Sequence, residues 1–294
     1  MKAGISVIIT AFQTQDYIEE CLDSVYNQTW FSNNDNWEIL LGIDHCEKTL
    51  DKIKNIASKY KNLTIIYTTK NVGTYILSNT LISIAKYEHI LRFDSDDIMD
   101  SHMVEYMMSA CSLVKNCSIV QCYFKNFSST SSVSSKGIAH GIFLCKVDIL
   151  KKYGGFMPWK CAADSEFLER IKAEKIVKTV IPLILFHRRI HSNSLTRSNE
   201  TNLQSELRKS YRKYITNMSS THTVIDMKVA DYIEITPDTK ITPDTVIKKD
   251  YDTKAEEPAI NSEVLTAKPV YKNKRIKRNI KIVKKVITGI YSGI

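Results

Sequence analysis

Two hydrophobic periods alternate along the first half of this 294-residue chain. Short apolar, β-branched runs at Ser6–Thr10, Glu38–Asp44, Leu63–Thr69, Ile90–Phe93 and Ser118–Phe124 read as strands. Between them, apolar residues recur at helical spacing: Ile18, Leu22 and Val25 after a candidate cap at Asp16; Leu77, Leu81, Ile84 and Ala85; Met103, Met107, Ala110, Cys111 and Val114. Strands that are apolar on both faces and alternate with helices require a mostly parallel central sheet flanked by helices, an α/β fold.

A second block starts near Gly137, where GIAHGIFLCKVDIL reads as a strand entering a helix, followed by a helix over Ala163–Ala173 and a strand over Val180–His187. A last helical pattern spans about Asn202–Asn217. These features predict a body over residues 1–217, divided into halves 1–117 and 118–217. Residues 218–270 are rich in Thr, Asp, Lys and Pro and repeat Ile-Thr-Pro-Asp-Thr at 235–239 and 241–245, so they read as a flexible linker. Residues 271–294 carry an apolar stripe of Ile276, Ile280, Val283, Ile287, Ile290 and Ile294 among basic residues. That pattern suits either peripheral contact with an anionic membrane or docking on the body.

Charge narrows the partners. The formal charge is +9, from 41 Lys or Arg against 32 acids, but eight of the basic residues and no acid lie in Val270–Ile294. The rest of the chain therefore holds 33 basic residues against 32 acids. A nearly neutral body speaks against a nucleic-acid-binding face. The seven cysteines show no metal-finger spacing, which suits a reduced compartment, and no apolar run reaches membrane-spanning length. A cytoplasmic location is the expectation, on the membrane's cytoplasmic face if the C-terminal segment binds lipid.

The segment HILRFDSDDIMD concentrates the chemistry. Asp94, Asp96 and Asp97, with Ser95 between them, follow an apolar strand, and three carboxylates so placed repel one another unless a cation lies among them. Ligands of open α/β sheets bind at the carboxyl ends of strands. Hard oxygen donors suit Mn²⁺ or Mg²⁺, with substrate phosphates completing the coordination. The same residue types also form turns and cap helices, here one starting near Met99.

The order of motifs around that turn, over about residues 4–200, resembles family 2 glycosyltransferases, whose catalytic domain has the GT-A fold. SVIITAFQTQDYIEECLDSVYNQTW is similar to the family's opening strand, loop and helix, which implies that Thr10, Ala11 and Phe12 lie against a nucleotide. EILLGIDHCEKTL resembles its second strand and acidic turn, with Asp44 at the carboxylate that meets the base. KNVGTYILSNTLISIAKYEHILRFDSDD matches at Asn71, Gly73 and Asn79, while Ser78 stands where an Arg is common. By the same likeness Asp94 and Ser95 meet the donor and Asp96 binds metal, with Asp97 supporting.

GIFLCKVDILKKYGGFMPWKCAADSEFLERI resembles the acceptor-side motif, which puts Asp164 in the place of the catalytic base. Glu166 is its competitor and a second substrate-side candidate; Arg170 reads as a salt-bridge residue. FHRRIHSNSLT resembles the closing Arg-x-His-x-x-Ser segment, which implies His191 as metal ligand or diphosphate contact and Arg188 as a substrate contact, with His187 and Arg189 as alternatives.

The resemblance implies a metal-dependent, inverting enzyme that moves one sugar from a nucleoside-diphosphate sugar to a hydroxyl. A UDP-sugar is favoured over a GDP-sugar, and the acceptor is a glycan, a lipid-linked sugar or a protein. A diphosphate leaving group needs a cation rather than an acid, so one base suffices. No QxxRW motif of processive synthases is present. The competing readings are a catalytically inactive nucleotide-sugar or nucleic-acid binding module, a nucleotidyltransferase without its Gly-rich loop, and an oxidoreductase without GxGxxG.

Overall fold

β1 (Lys2–Ala11) is buried from Ile5 onward, and its alternating side chains enter two separate cores. Ile5, Val7 and Ile9 face one helical layer and Ile8 the other. The computed structural model describes residues 1–128, 135–173, 176–192, 194–217, 224–236 and 245–247.

After β1 come α1 (Ile18–Tyr26), α2 (Thr29–Asn33), β2 (Trp37–Ile43), α3 (Glu47–Ile56), β3 (Leu63–Thr68), α4 (Thr74–Ile84) and β4 (Tyr87–Asp94). The amides of Tyr17 and Ile18 both donate to the Thr14 carbonyl, so a tight turn starts α1 and Asp16 is not its cap. Glu19 and Glu20 put negative charge at that positive helix end.

The second half contains β5 (Ile98–Met99), α5 (Met103–Leu113), β6 (Cys117–Phe127), β7 (Lys136–Ile138), β8 (Leu144–Lys146), α6 (Val147–Lys152), α7 (Ala163–Arg170), β9 (Val177–Arg189), α8 (Glu206–Asn217) and β10 (Tyr232–Ile235). The helix expected near Met99 starts at Met103 instead, because Ile98 and Met99 pair antiparallel with His187 and Phe186. That two-residue ladder decides where the end of β9 lies.

Strand order in the sheet is β10-β3-β2-β1-β4-β8-β6-β9-β5, with β7 paired to β6. The parallel expectation describes β3-β2-β1-β4 and the β6–β9 pair. β8 runs antiparallel to both β4 and β6 and joins the halves. α1, α3 and α5 cover one face; α4, α6, α7 and α8 cover the other. The β6–β9 register shifts between Cys122↔Ile181 and Tyr123↔Ile184, across Pro182, which has no amide to give the ladder.

Part of the expected linker is structure. Tyr232–Ile235 pairs antiparallel with β3, burying Tyr232, Ile233 and Ile235, and the Ala230 amide donates to Thr80 Oγ1 at 2.8 Å. Four residues of period two are enough for an edge strand, and they were diluted by the polar composition around them. The basic segment 271–294 and most of the Ile-Thr-Pro-Asp-Thr repeat lie outside the described residues. Among the described residues no helix is long and apolar enough to cross a membrane, and all seven cysteines are buried and unpaired.

Candidate active site

Parallel register brings three side-chain positions to one end of the sheet. Thr10 is level with Gly42 and with Asp94, so Thr10, Asp44 and Asp94 emerge together at the carboxyl ends of β1, β2 and β4. Ala11 is buried beside them, whereas Phe12 is 46% exposed on the following loop. Phe12, His45, Cys46 and Tyr67 line a cleft of about 580 Å³.

Asp44 departs from its expected use. It is 3% exposed; Oδ1 accepts the Val72 amide at 2.7 Å and the Thr68 hydroxyl at 3.2 Å, and Oδ2 accepts the Gly73 amide at 2.8 Å. Both oxygens are engaged by the chain, so Asp44 holds the loop ahead of α4 rather than presenting a carboxylate to a base. Exposed Asn71 sits on that loop, and Gly73 (φ +82°) turns the backbone into α4.

Asn79 also departs from expectation. It is fully buried within α4; its Nδ2 donates to the Phe156 carbonyl at 2.8 Å and its Oδ1 accepts the Phe156 amide at 2.9 Å. The side chain therefore pins the Gly154-Gly155-Phe156 turn from inside the core.

At the acidic turn, the β5–β9 pair draws His187 to His191 across Asp94–Asp97. The Arg189 amide donates to Asp97 Oδ1 at 2.9 Å, and its Nε donates to the Asp96 carbonyl at 2.9 Å. His191 Nε2 lies 2.8 Å from Asp96 Oδ2, and the His191 ring packs on Tyr17 at 4.8 Å. Ser95 is buried in the turn. Arg188 donates from Nε to Asn126 at 2.8 Å and lies over the Phe124 ring at 4.2 Å; burial lowers its pKa.

The electrostatics of this turn are strained. Burial, with the Asp96 and Asp94 carboxylates beside it, pushes the Asp97 carboxyl well above its ordinary range. Partial burial raises Asp94 too, against the pull of Arg92, although its side chain keeps 40% exposure. Asp97 Oδ2 and His191 Nδ1 are buried without a hydrogen-bond partner. Two donors on one octahedral ion, each about 2.1 Å from it, stand about 3 Å apart. Asp96 Oδ2 and His191 Nε2 have that separation while meeting each other directly in a 2.8 Å hydrogen bond. Among the described residues no group of three or more His, Cys, Asp or Glu could enclose a metal.

Asp164 comes to the same end of the sheet from the second half. It is half-buried near the start of α7, after Ala162 in the left-handed region at φ 65°. Its Oδ1 accepts the Tyr75 hydroxyl at 3.0 Å. Glu166 is fully buried instead, with its oxygens 2.7 and 3.0 Å from the Arg170 guanidinium, which also holds the Tyr153 and Gly155 carbonyls. It can be neither a free base nor a substrate contact.

Arg92 links the two sides and was not singled out from sequence. It is 5% exposed and donates to Ser78 Oγ (3.3 Å), Thr74 Oγ1 (3.0 Å) and the Gly141 carbonyl (2.7 Å), with Asp94 Oδ1 at 2.9 Å. Thr74 in turn shares a 2.7 Å hydrogen bond with Thr10. A charged residue inside the apolar run HILRF, two positions before Asp94 and so on its face of the strand, was the available signal.

Comparison with known proteins fits this arrangement. The model of the family described as "Glycosyl transferase family 2" matches residues 6–164. The poly(ribitol-phosphate) beta-glucosyltransferase of Bacillus spizizenii is 38% identical over 99 residues, 33% of this chain and 15% of that protein. Glycosyltransferase GlyG of Streptococcus pneumoniae is 30% identical over 106 residues, 36% of this chain and 34% of that one. Among solved structures, S. aureus TarS 1-349 in complex with UDP-GlcNAc aligns with a TM-score of 0.56 and 16% identity, over 65% of this chain and 60% of that one. Mannosyltransferase PcManGT from Pyrobaculum calidifontis, in complex with GDP-Man and Mn²⁺, aligns with a TM-score of 0.54 and 17% identity, over 66% and 59%. The chain thus spans less than two thirds of each of these proteins, and the structural likeness is one of fold, the GT-A architecture.

Proposed function

The chain belongs to glycosyl transferase family 2, and from that premise we propose that it transfers one sugar from a nucleoside-diphosphate sugar to a hydroxyl acceptor with inversion at the anomeric carbon. The observation that carries the reading is the approach of Asp94, from the first half, and Asp164, from the second, to Arg92 at one end of the sheet, with Asp96 two positions beyond Asp94. Residues 1–217 act as the catalytic body in this reading, with the donor held by 1–117 and the acceptor by 118–217.

Asp164 takes the proton of the acceptor hydroxyl as that oxygen bonds to the anomeric carbon; the bond to the diphosphate oxygen breaks with its electron pair. Asp96 and His191 would hold a Mn²⁺ or Mg²⁺ ion, which when bound offsets the charge gathering on the leaving diphosphate. Thr10, Ala11, Asn71, Gly73, Asp94 and Ser95 line the donor side, and Arg188 adds positive charge near the turn. Since Asp44 is committed to the 72–73 amides, base recognition passes to Phe12, His45 and Tyr67 around the cleft. A UDP-sugar is the favoured donor, with a GDP-sugar second.

The acceptor is a glycan, a lipid-linked sugar or a protein hydroxyl in the cytoplasm. Contact with an anionic membrane through 271–294 rests on the sequence pattern alone.

Release of nucleoside diphosphate from a panel of UDP- and GDP-sugars, with Mn²⁺ or with EDTA, tests the proposal. Turnover with at least one donor, abolished by EDTA, is expected. Asp164→Asn should lower it by about 10²- to 10⁴-fold while donor affinity persists, and Asp96→Ala should remove the Mn²⁺ dependence of donor binding by calorimetry. No release from any donor would leave a binding module instead.

A further inference from the structure

Tyr75 is the second residue of α4, in the donor half, and it is 5% exposed. Its hydroxyl crosses to the acceptor half and donates to Asp164 Oδ1 at 3.0 Å, a contact between residues 89 positions apart. The ring is fixed by Phe156, 5.6 Å away between centroids, and by the Arg92 guanidinium, 5.8 Å from its centroid. Burial and the Asp164 charge push the phenol well above its ordinary pKa, so it stays protonated and can only donate to the carboxylate.

The other carboxylate oxygen is bounded from the opposite side. A Cβ at Gly141 would stand 2.9 Å from Asp164 Oδ2 and 3.1 Å from Arg92 Nη1, and Arg92 holds this glycine through its carbonyl. One oxygen is thus tied to Tyr75 while the second lies against a bare backbone that Arg92 keeps in place. The two oxygens thus meet a side chain of α4 and a glycine held by a side chain of β4.

We propose that Tyr75 is a positioning residue for glycosyl transfer, fixing the Asp164 carboxylate so that Oδ2 receives the acceptor proton, with Gly141 supplying the clearance that this orientation needs. The inference rests on the reading of Asp164 as the base. It adds that the base is aimed from the donor half: α4 follows Gly73, whose amide Asp44 binds, so the loop beside the donor also sets the helix that carries Tyr75.

The test uses the full chain and the donor of the panel that it turns over fastest, with diphosphate release as readout and Tm as a check on folding. Tyr75→Phe removes one buried oxygen and should lower kcat by about 10- to 100-fold with donor KM little changed. In an Asp164→Asn background the same substitution should have no further effect, as expected for two residues acting as one unit. Gly141→Ala, which crowds Oδ2 and leaves the phenol intact, should also lower kcat while sparing donor KM. The proposal is overturned if Tyr75→Phe turns over at the parental rate while Asp164→Asn is inactive, or if the two losses are additive. Parental activity of Asp164→Asn would reject the base assignment and the positioning role together.

Discussion

Arg92 and Asp94 lie two positions apart on β4 and meet in a 2.9 Å ion pair, the arginine 5% exposed and the carboxylate open on its far side. A buried guanidinium survives there because every direction it points in offers an oxygen: Asp94, Thr74, Ser78 and the Gly141 carbonyl.

Removing that cation should cost more than losing one contact. Arg92→Met leaves four oxygens without their donor and is expected to lower unfolding free energy by about 3 kcal/mol. Arg92→Lys keeps the charge but lacks the fork, and should cost about 1–2 kcal/mol. Urea titrations of the three proteins give both numbers, and a lysine variant as unstable as the methionine one would show that charge is not what the site requires.

Asn79 should behave as a structural residue. Asn79→Ala leaves the Phe156 amide and carbonyl unpaired in the core, an expected loss of about 2–4 kcal/mol. Gly155→Ala should be similarly harmful, since its Cβ would come 2.3 Å from Asn79 Oδ1 at a φ of +66°. Calorimetry with UDP on the folded fraction should show unchanged affinity in Asn79→Ala; a large loss of nucleotide binding would restore the ligand role.

The two acids of α7 should separate cleanly. Glu166→Gln breaks a fully buried pair with Arg170 and should destabilise the fold by about 3 kcal/mol without lowering turnover per folded molecule. Asp164→Asn should do the reverse. Measuring Tm and turnover on both variants decides which acid serves chemistry, and loss of turnover in a well-folded Glu166→Gln protein would exchange the roles.

His89 should give the fold an acid-sensitive step. Burial lowers its imidazole pKa below 6.5, so the native state resists the proton that the unfolded chain accepts. Stability is then complete above that value and is lost as pH falls through the window beneath it. His89→Gln should flatten the difference in urea midpoint between pH 7.5 and about 5.5; an undiminished difference would assign the acid sensitivity to other groups.

Much of this architecture can be read from the sequence because the two hydrophobic periods are strong in β1–β4, where each strand is buried on both faces. The turn Asp94–Asp97 was legible as a turn after an apolar strand, because Asp and Ser are turn formers. Tyr75 was not legible, because its partner is 89 residues away and nothing local marks the pair. Glu166 carries a structural signal in the sequence: Arg170 stands four positions later on the same helix face, a spacing that favours an ion pair. Asp44 and Asn79 match motif positions, but a motif does not tell whether the side chain turns toward ligand or toward its own backbone. The edge strand Tyr232–Ile235 was hidden by averaging over a polar window.

That strand changes where the molecule can be cut. An excision after residue 217, the end of α8, would take away the neighbour of β3 and leave a row of free amides and carbonyls along an apolar margin, ready to zip onto another copy. Moving the stop past residue 236 would keep that margin closed, so expression trials should find monodisperse material only with the longer species.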